Sequence, residues 1–227
     1  MNQAISREVL ARYFPVQAVS HIENAVSGFR IRLKITRGRA SKLGDFKPSM
    51  NGGLHQISVN ADLNIYAFLL VFAHELAHLM VFERSGNSVR PHGKEWKKQF
   101  GELIRTYIEQ GFFHPVLHES LIRYSCHVRA SGIASEPVVR DLAVFDHGGG
   151  SDGPLLLEDI PEEALFLTRT GRLFKKEGRL RKRYRCLCLD NQRTYLFHPM
   201  AKVNRAERPP SMNNANLRMK QMKHKKI

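Results

Sequence analysis

The feature that most constrains the fold is an apolar run from Ile65 to Phe82 with three ionisable side chains near its middle. The run approaches the length that spans a membrane, but His74, Glu75 and His78 would be costly to place in lipid. We therefore expect a buried helix of a soluble protein. It should end at about Gly86, because glycine commonly follows the last helical turn.

The two histidines of this run are spaced to bind one metal ion. His74 and His78 lie four residues apart, which places both imidazoles on one face of a helix. Two neutral ring nitrogens can then reach one tetrahedral ion at about 2.0–2.1 Å each. Glu75 lies about 100° around the helix from His74, so it can miss the ion and act on a water as general base. Buried without partners, these groups would cost several kcal/mol, and a bound metal removes that cost.

The third ligand that we predict is His92. The helix from His78 to its end near Gly86 spans about 12 Å, and the six residues that follow can span at most about 20 Å. The chain can thus return alongside the helix and bring His92 to the start of the next one. A carboxylate of that second helix, Glu95 or Glu102, is the alternative third ligand. A purely structural zinc is a further alternative, but such sites normally have four protein ligands.

A second motif, "HGKEW", follows "HELAH" after a gap of 13 residues. This arrangement resembles the SprT-like family of zinc metalloproteases, which includes the bacterial SprT proteins and the eukaryotic protease Spartan. The similarity extends over about Phe29 to Gln110. The resemblance implies a zincin-like catalytic core, with zinc on His74, His78 and His92 and with Glu75 as the catalytic base. For studied members it also implies proteolysis of proteins that are trapped on DNA.

The chain is strongly basic, with a formal charge of +15 and a pI near 10.1. An excess of this size says little about the fold, but it favours a polyanionic partner such as nucleic acid or an anionic membrane surface. Three cysteines in 227 residues are too few for a disulfide framework, which suits a reducing cytoplasm. The N-terminus lacks an apolar signal core. We expect a cytoplasmic, nucleoid-associated protein that binds DNA and no membrane.

The remaining pattern predicts an α+β protein, in which a small sheet supports the zinc-binding helix and a small basic β-rich module follows. Phe29–Ile35 alternates apolar and basic residues, and Leu54–Val59 is a second strand beyond a loop from Gly38 to Gly53. Residues 112–145 are expected to be mostly helical. The predicted domains are a catalytic domain at 1–145, a linker at 146–154, the basic module at 155–203 and a disordered basic tail at 204–227.

Basic residues dominate the C-terminal module, where Arg169 to Arg185 contains nine Arg or Lys and one acidic residue. Basic side chains follow phosphates, so we expect contact with DNA here. Phe174 and Tyr184 fit base stacking and core packing equally well. The predicted contact residues are Arg181, Lys182, Arg183 and Arg185.

Many SprT-like proteins carry a zinc ribbon after the catalytic core, built from two C-x-x-C pairs. Here only Cys186 and Cys188 lie close together, and a strand would turn both toward one face with Tyr184. Packing explains such a pair better than metal binding does. We therefore predict one catalytic zinc ion and no second, structural zinc.

Together these features predict a zinc-dependent endopeptidase that cleaves proteins bound or crosslinked to DNA. One alternative is a zinc-containing DNA-binding or regulatory protein with little or no peptidase activity. Another is a peptidase unrelated to nucleic acid, in which the positive charge is incidental. Replacing Glu75 with glutamine separates the first two, because it would leave zinc bound and abolish only catalysis.

Overall fold

The computed structural model describes residues 5–39, 42–49, 52–128, 136–146, 155–168 and 170–206. The chain divides into two compact units, residues 1–149 and 150–227. Helices and a small mixed sheet form the first unit, and an antiparallel sheet forms the second. The α+β class predicted from the sequence is confirmed. All but Asp146 of the predicted linker at 146–154 lies outside the described residues, so the proposed domain limits stay predictions there.

Two short helices open the N-terminal unit, α1 (Arg7–Tyr13) and α2 (Val19–Gly28). The Ser6 hydroxyl accepts a hydrogen bond from the backbone N–H of Val9 and caps α1. The chain then breaks at Pro15, which begins a single 3₁₀ turn at Val16–Ala18.

Three strands form the sheet of this unit, β1 (Ile31–Thr36), β2 (Gly44–Lys47) and β3 (His55–Asn60). The order is β1-β3-β2, with β1 parallel and β2 antiparallel to the central strand β3. The prediction of an uninterrupted loop from Gly38 to Gly53 is therefore wrong, because β2 lies within it. Phe46 is the only apolar residue of β2, so the strand has no sequence pattern of its own and depends on pairing with β3.

The long helix α3 runs from Ile65 to Ser85. Its first turn is capped by Asn64, whose side-chain oxygen accepts the N–H of Ala67 at 2.9 Å. Gly86 ends it with a φ of 56°. By length and composition α3 could cross a membrane, but 67% of its most apolar window is buried inside the protein. It is the buried core helix that the sequence predicted.

The second half of the unit is helical, as predicted for the described part of residues 112–145. Helix α4 (Lys94–Glu109) is followed by a 3₁₀ turn at Pro115–Leu117, then α5 (His118–Cys126) and α6 (Glu136–Ala143). Helix α4 packs one face into the core shared with α3 and the sheet. The fully buried residues of that face are Trp96, Phe100, Ile104 and Tyr107.

The C-terminal unit is a six-stranded antiparallel sheet in the order β4-β9-β5-β6-β7-β8. A 3₁₀ turn at Leu157–Asp159 follows its first strand. The strands are β4 (Leu155–Leu156), β5 (Leu165–Leu167), β6 (Leu173–Leu180), β7 (Arg183–Cys188), β8 (Thr194–Phe197) and β9 (Lys202–Arg205).

The start of the predicted tail at residue 204 needs a correction. Strand β9 continues through Asn204 and Arg205, which pair with Leu167 and Phe166 of β5. These backbone hydrogen bonds make the two residues part of the sheet. Residues 207–227 of the predicted tail lie outside the described residues.

Candidate metal centre

Three imidazoles converge beside α3. The Nε2 atom of His92 lies 3.0 Å from that of His78 and 3.2 Å from that of His74. A tetrahedral ion with bonds of about 2.0–2.1 Å holds neighbouring nitrogens about 3.3 Å apart, which is close to both distances. The three residues form a possible His₃ metal site that is compatible with zinc. Neither Glu95 nor Glu102, the alternative third ligands, belongs to this group among the described residues.

The backbone just before α4 places His92. His92 has a φ of 58°, in the left-handed region that histidine enters more readily than most residues. A Cβ at Gly93 would lie 2.8 Å from the carbonyl oxygen of Arg90, so only glycine fits in this turn. The His-Gly pair thus turns the chain into α4 and brings the imidazole back to α3.

Trp96 packs against all three imidazoles. Its ring centroid lies 4.5 Å from that of His74, 5.1 Å from that of His78 and 4.6 Å from that of His92. Its indole N–H also donates to the carbonyl oxygen of His74 at 3.3 Å. In the sequence analysis, Trp96 appeared only as the last residue of the motif "HGKEW". Its place one helical turn after His92 was the signal for this second role.

The imidazoles are kept neutral by their surroundings. Burial, with smaller effects of the other two rings, lowers the pKa of His74 to about 3. Burial and the nearby His92 lower the pKa of His78 to about 4. The pKa of His92 is lowered by burial and by Lys97. Neutral imidazoles have a free lone pair, which is the form that binds a metal ion.

Glu75 faces β2, one helical position away from His74. Its side chain is buried, and the backbone N–H of Phe46 hydrogen-bonds its carboxylate. A Cβ at Gly44 would lie only 2.5 Å from Oε1 of Glu75, so β2 approaches the carboxylate closely because it carries glycine there. Burial, with a further contribution from Asp45, raises the pKa of Glu75 to about 8. The carboxyl group can therefore take up and release a proton near neutral pH.

Comparison with known proteins bears directly on this arrangement. Residues 8–113 match the model of the SprT-like family. The match covers just under half of the chain. The match begins earlier than the resemblance at Phe29 to Gln110 suggested, so it also includes α1 and α2. Protein SprT of Glaesserella parasuis serovar 5 (strain SH0165) is 53% identical over 34 residues, which is 15% of this chain and 21% of that protein. The chain thus matches about a fifth of the length of this curated relative, and no solved structure matches.

The residues predicted to contact nucleic acid lie outside the residues that match the SprT-like family, in the C-terminal unit. Arg181 and Lys182 form the turn between β6 and β7, and Arg183 and Arg185 are exposed on β7. Arg185 is ion-paired to Glu177, with Nε 2.9 Å from Oε2.

The aromatic residues near this basic cluster are part of the core. Phe174 and Tyr184 are 2% and 7% exposed, so neither can stack on a base. The inner face of β7 also buries Cys186 and Cys188 completely, on the same side as Tyr184. Both cysteines therefore pack in the core, as the strand pattern predicted.

Proposed function

We propose that the SprT-like domain is a zinc-dependent endopeptidase with a zincin-like core. One observation carries the proposal: three histidine nitrogens meet at metal-binding distances, and a buried glutamate follows the first of these histidines in the same helix. A structural zinc site would need a fourth protein ligand, and the described residues contain no fourth His, Cys, Asp or Glu in this group. An open fourth position is typical of catalytic zinc.

The proposed chemistry assigns one role to each residue. His74, His78 and His92 would hold zinc, which when bound supplies a Lewis acid for the scissile carbonyl and for water. Glu75 would accept the proton of the attacking water and return a proton to the leaving amine. Burial raises the pKa of its carboxyl group in the metal-free protein, which favours uptake of a proton. Trp96 would orient the imidazoles.

A substrate peptide has a natural place beside β2. This strand lies at the edge of the three-stranded sheet, and only β3 pairs with it among the described strands. An extended peptide could add to the free edge through backbone hydrogen bonds. Because Gly44 and Phe46 of the same strand contact Glu75, a peptide held there would pass close to the catalytic base.

We further propose that the substrates are proteins bound or crosslinked to DNA, in the cytoplasm and at the nucleoid. The positive charge of the chain supports a polyanionic partner. In the C-terminal unit, the turn residues Arg181 and Lys182 and the exposed Arg183 would contact phosphates. Arg185 would contribute less, because Glu177 already neutralises it.

The test is cleavage of a basic DNA-binding protein by the full-length, zinc-loaded chain, with and without single-stranded DNA. Glu75→Gln is the matched control, because the amide is similar in size and cannot act as a base. Cleavage by the wild type alone, increased by DNA, is the expected result. Cleavage that DNA does not change would remove the targeting role. No cleavage by protein that contains one zinc per chain would refute the peptidase and favour a zinc-containing binding protein.

A further inference from the structure

The sheet of the N-terminal unit has two faces of opposite character. On the inner face, Ile57 and Val59 of β3 are fully buried in the core. The alternate residues of the three strands point to the other side. They pair across the sheet in two rows, Arg32 with Gln56 and Lys47, and Lys34 with Ser58 and Asp45.

This outward face is strongly basic. The segment from Arg30 to Lys47 contains seven Arg or Lys residues and one acidic residue, Asp45. The strand residues Arg32, Lys34 and Lys47 are exposed. Asp45 lies between two lysines, with Nζ of Lys42 at 2.8 Å and Nζ of Lys47 at 4.0 Å, so the single negative charge is already compensated.

A buried amide holds further cationic residues against this face. The Asn60 side-chain N–H₂ donates to the carbonyl oxygens of Arg39 at 3.2 Å and Lys42 at 3.0 Å. The Arg39 guanidinium donates in turn to Oδ1 of Asn60 at 2.8 Å and to Ser58 Oγ at 3.3 Å. Its Nη2 atom is buried and has no hydrogen-bond partner in the described part of the chain. The Arg39 guanidinium and the backbone of Lys42 are therefore held in place before any ligand binds, which lowers the entropy cost of binding.

We propose that this basic sheet face, formed by Arg32, Lys34, Arg39, Lys42 and Lys47, binds the phosphate backbone of nucleic acid. Lysine and arginine side chains neutralise phosphates, and hydroxyl and amide groups nearby supply further donors. The strand side chains on this face are all polar, and Leu43, just before β2, is the one large apolar side chain exposed beside them in the described part of the chain. A single leucine is too little apolar surface to insert into a membrane or to anchor a protein interface. The binding is independent of base sequence.

The position of β2 gives this contact a consequence for the proposed peptidase. Gly44 and Phe46 face Glu75 on the inner side of the strand, whereas Asp45 and Lys47 belong to the outer side. Strand β2 would therefore lie between nucleic acid on the basic sheet face and the carboxylate of Glu75. Proteins bound to the same nucleic acid are thereby brought near the free edge of β2. This consequence rests on the proposed function, but the binding itself does not.

The experiment measures fluorescence anisotropy of a labelled oligo(dT) of about 20 nucleotides with the full-length chain, from about 50 to about 200 mM salt. The test variant combines Arg32→Glu with Lys34→Glu. The control combines Arg12→Glu with Lys98→Glu, which reverses two exposed helical cations and changes the net charge equally. We expect the test variant to bind at least about tenfold more weakly than the control. Its salt slope should be smaller by about 1.4, the value for two lost contacts to a single strand.

Four further measurements test the inference. Zinc content verifies that each variant is folded around its histidines. Gln56→Glu is a milder second variant, which places one negative charge on the same face. The variant that combines Arg181→Glu with Lys182→Glu should still bind oligo(dT). Adding Arg32→Glu and Lys34→Glu to this variant should remove the remaining binding. Equal affinity and salt slope in the test and control variants would overturn the proposal. Binding of the wild type to phosphatidylserine vesicles but not to oligo(dT) would also overturn it. Anisotropy measures binding without any cleavage. A chain that binds oligo(dT) but has no peptidase activity would therefore refute the proposed function and leave this inference standing.

Discussion

Replacing Gly44 with alanine tests whether β2 positions the carboxylate of Glu75, the proposed catalytic base. The added Cβ would lie 2.5 Å from Oε1 of Glu75 and 2.7 Å from Cγ1 of Val71. Ordinary contact begins near 3.4 Å, so the atoms must separate by about 0.9 Å. Strand β2 is restrained by four paired residues of β3, whereas the glutamate side chain can rotate. The carboxylate is therefore the group that moves, and a displacement of about 1 Å lowers catalysis by about 100-fold.

The assay compares kcat, zinc content and thermal unfolding of Gly44→Ala with those of Gly28→Ala, whose added Cβ meets no atom within 4 Å. We expect one zinc per chain in both variants and a loss of about 100-fold in kcat only in Gly44→Ala. Overpacking should also cost about 1–3 kcal/mol of stability, or about 2–4 °C in Tm for each kcal/mol. Wild-type kcat in zinc-loaded Gly44→Ala would refute the positioning argument.

Three further predictions concern metal binding and the C-terminal unit. His92→Ala should weaken zinc binding by more than about 100-fold whereas Glu102→Ala should leave it unchanged, as measured by competition with a chromophoric chelator. Burial lowers the pKa of His74 to about 3, so its contribution to the stability of the metal-free protein is complete above pH 6.5 and is lost as the pH falls toward 3. Zinc release on acidification should accordingly have its midpoint below pH 6.5, and a midpoint above that value would contradict the assignment. Lys176→Met should destabilise the C-terminal unit by about 3 kcal/mol in thermal unfolding, one for each hydrogen bond lost. Lys175→Met, at the half-buried neighbour that is ion-paired to Glu163, should cost no more than about 1 kcal/mol.

The grouping of the three histidines could be predicted from the sequence because its signals are local. Helix α3 has its capping residue Asn64 and its stop at Gly86 within the segment itself, and the spacing of His74 and His78 follows from helical geometry. His92 required only a limit on the reach of the chain. These inferences use distances along the sequence, which need no knowledge of the tertiary fold.

The parts that the sequence did not predict depend on contacts between distant segments. Strand β2 exists because it pairs with β3, and its role beside Glu75 arises from the approach of two elements far apart in the chain. Phe174 and Tyr184 lie within a basic segment, yet the inner face of the sheet buries both. Alternation along a strand shows which residues share a face but not which face becomes the core.

Lys176 is a basic residue that stabilises the core of the C-terminal unit. It is 2% exposed, its ammonium group donates to the backbone carbonyls of Leu157, Glu158 and Ile160, and it lies 4.0 Å from the ring centroid of Tyr184. A zinc ribbon depends on an ion that the cell must supply and that a chelator can withdraw. In this unit the Lys176 ammonium group, which is part of the polypeptide itself, joins β6 to the segment from Leu157 to Ile160. Removal of metal ions should therefore inactivate the candidate His₃ centre. The C-terminal unit should keep its fold and any binding to a partner.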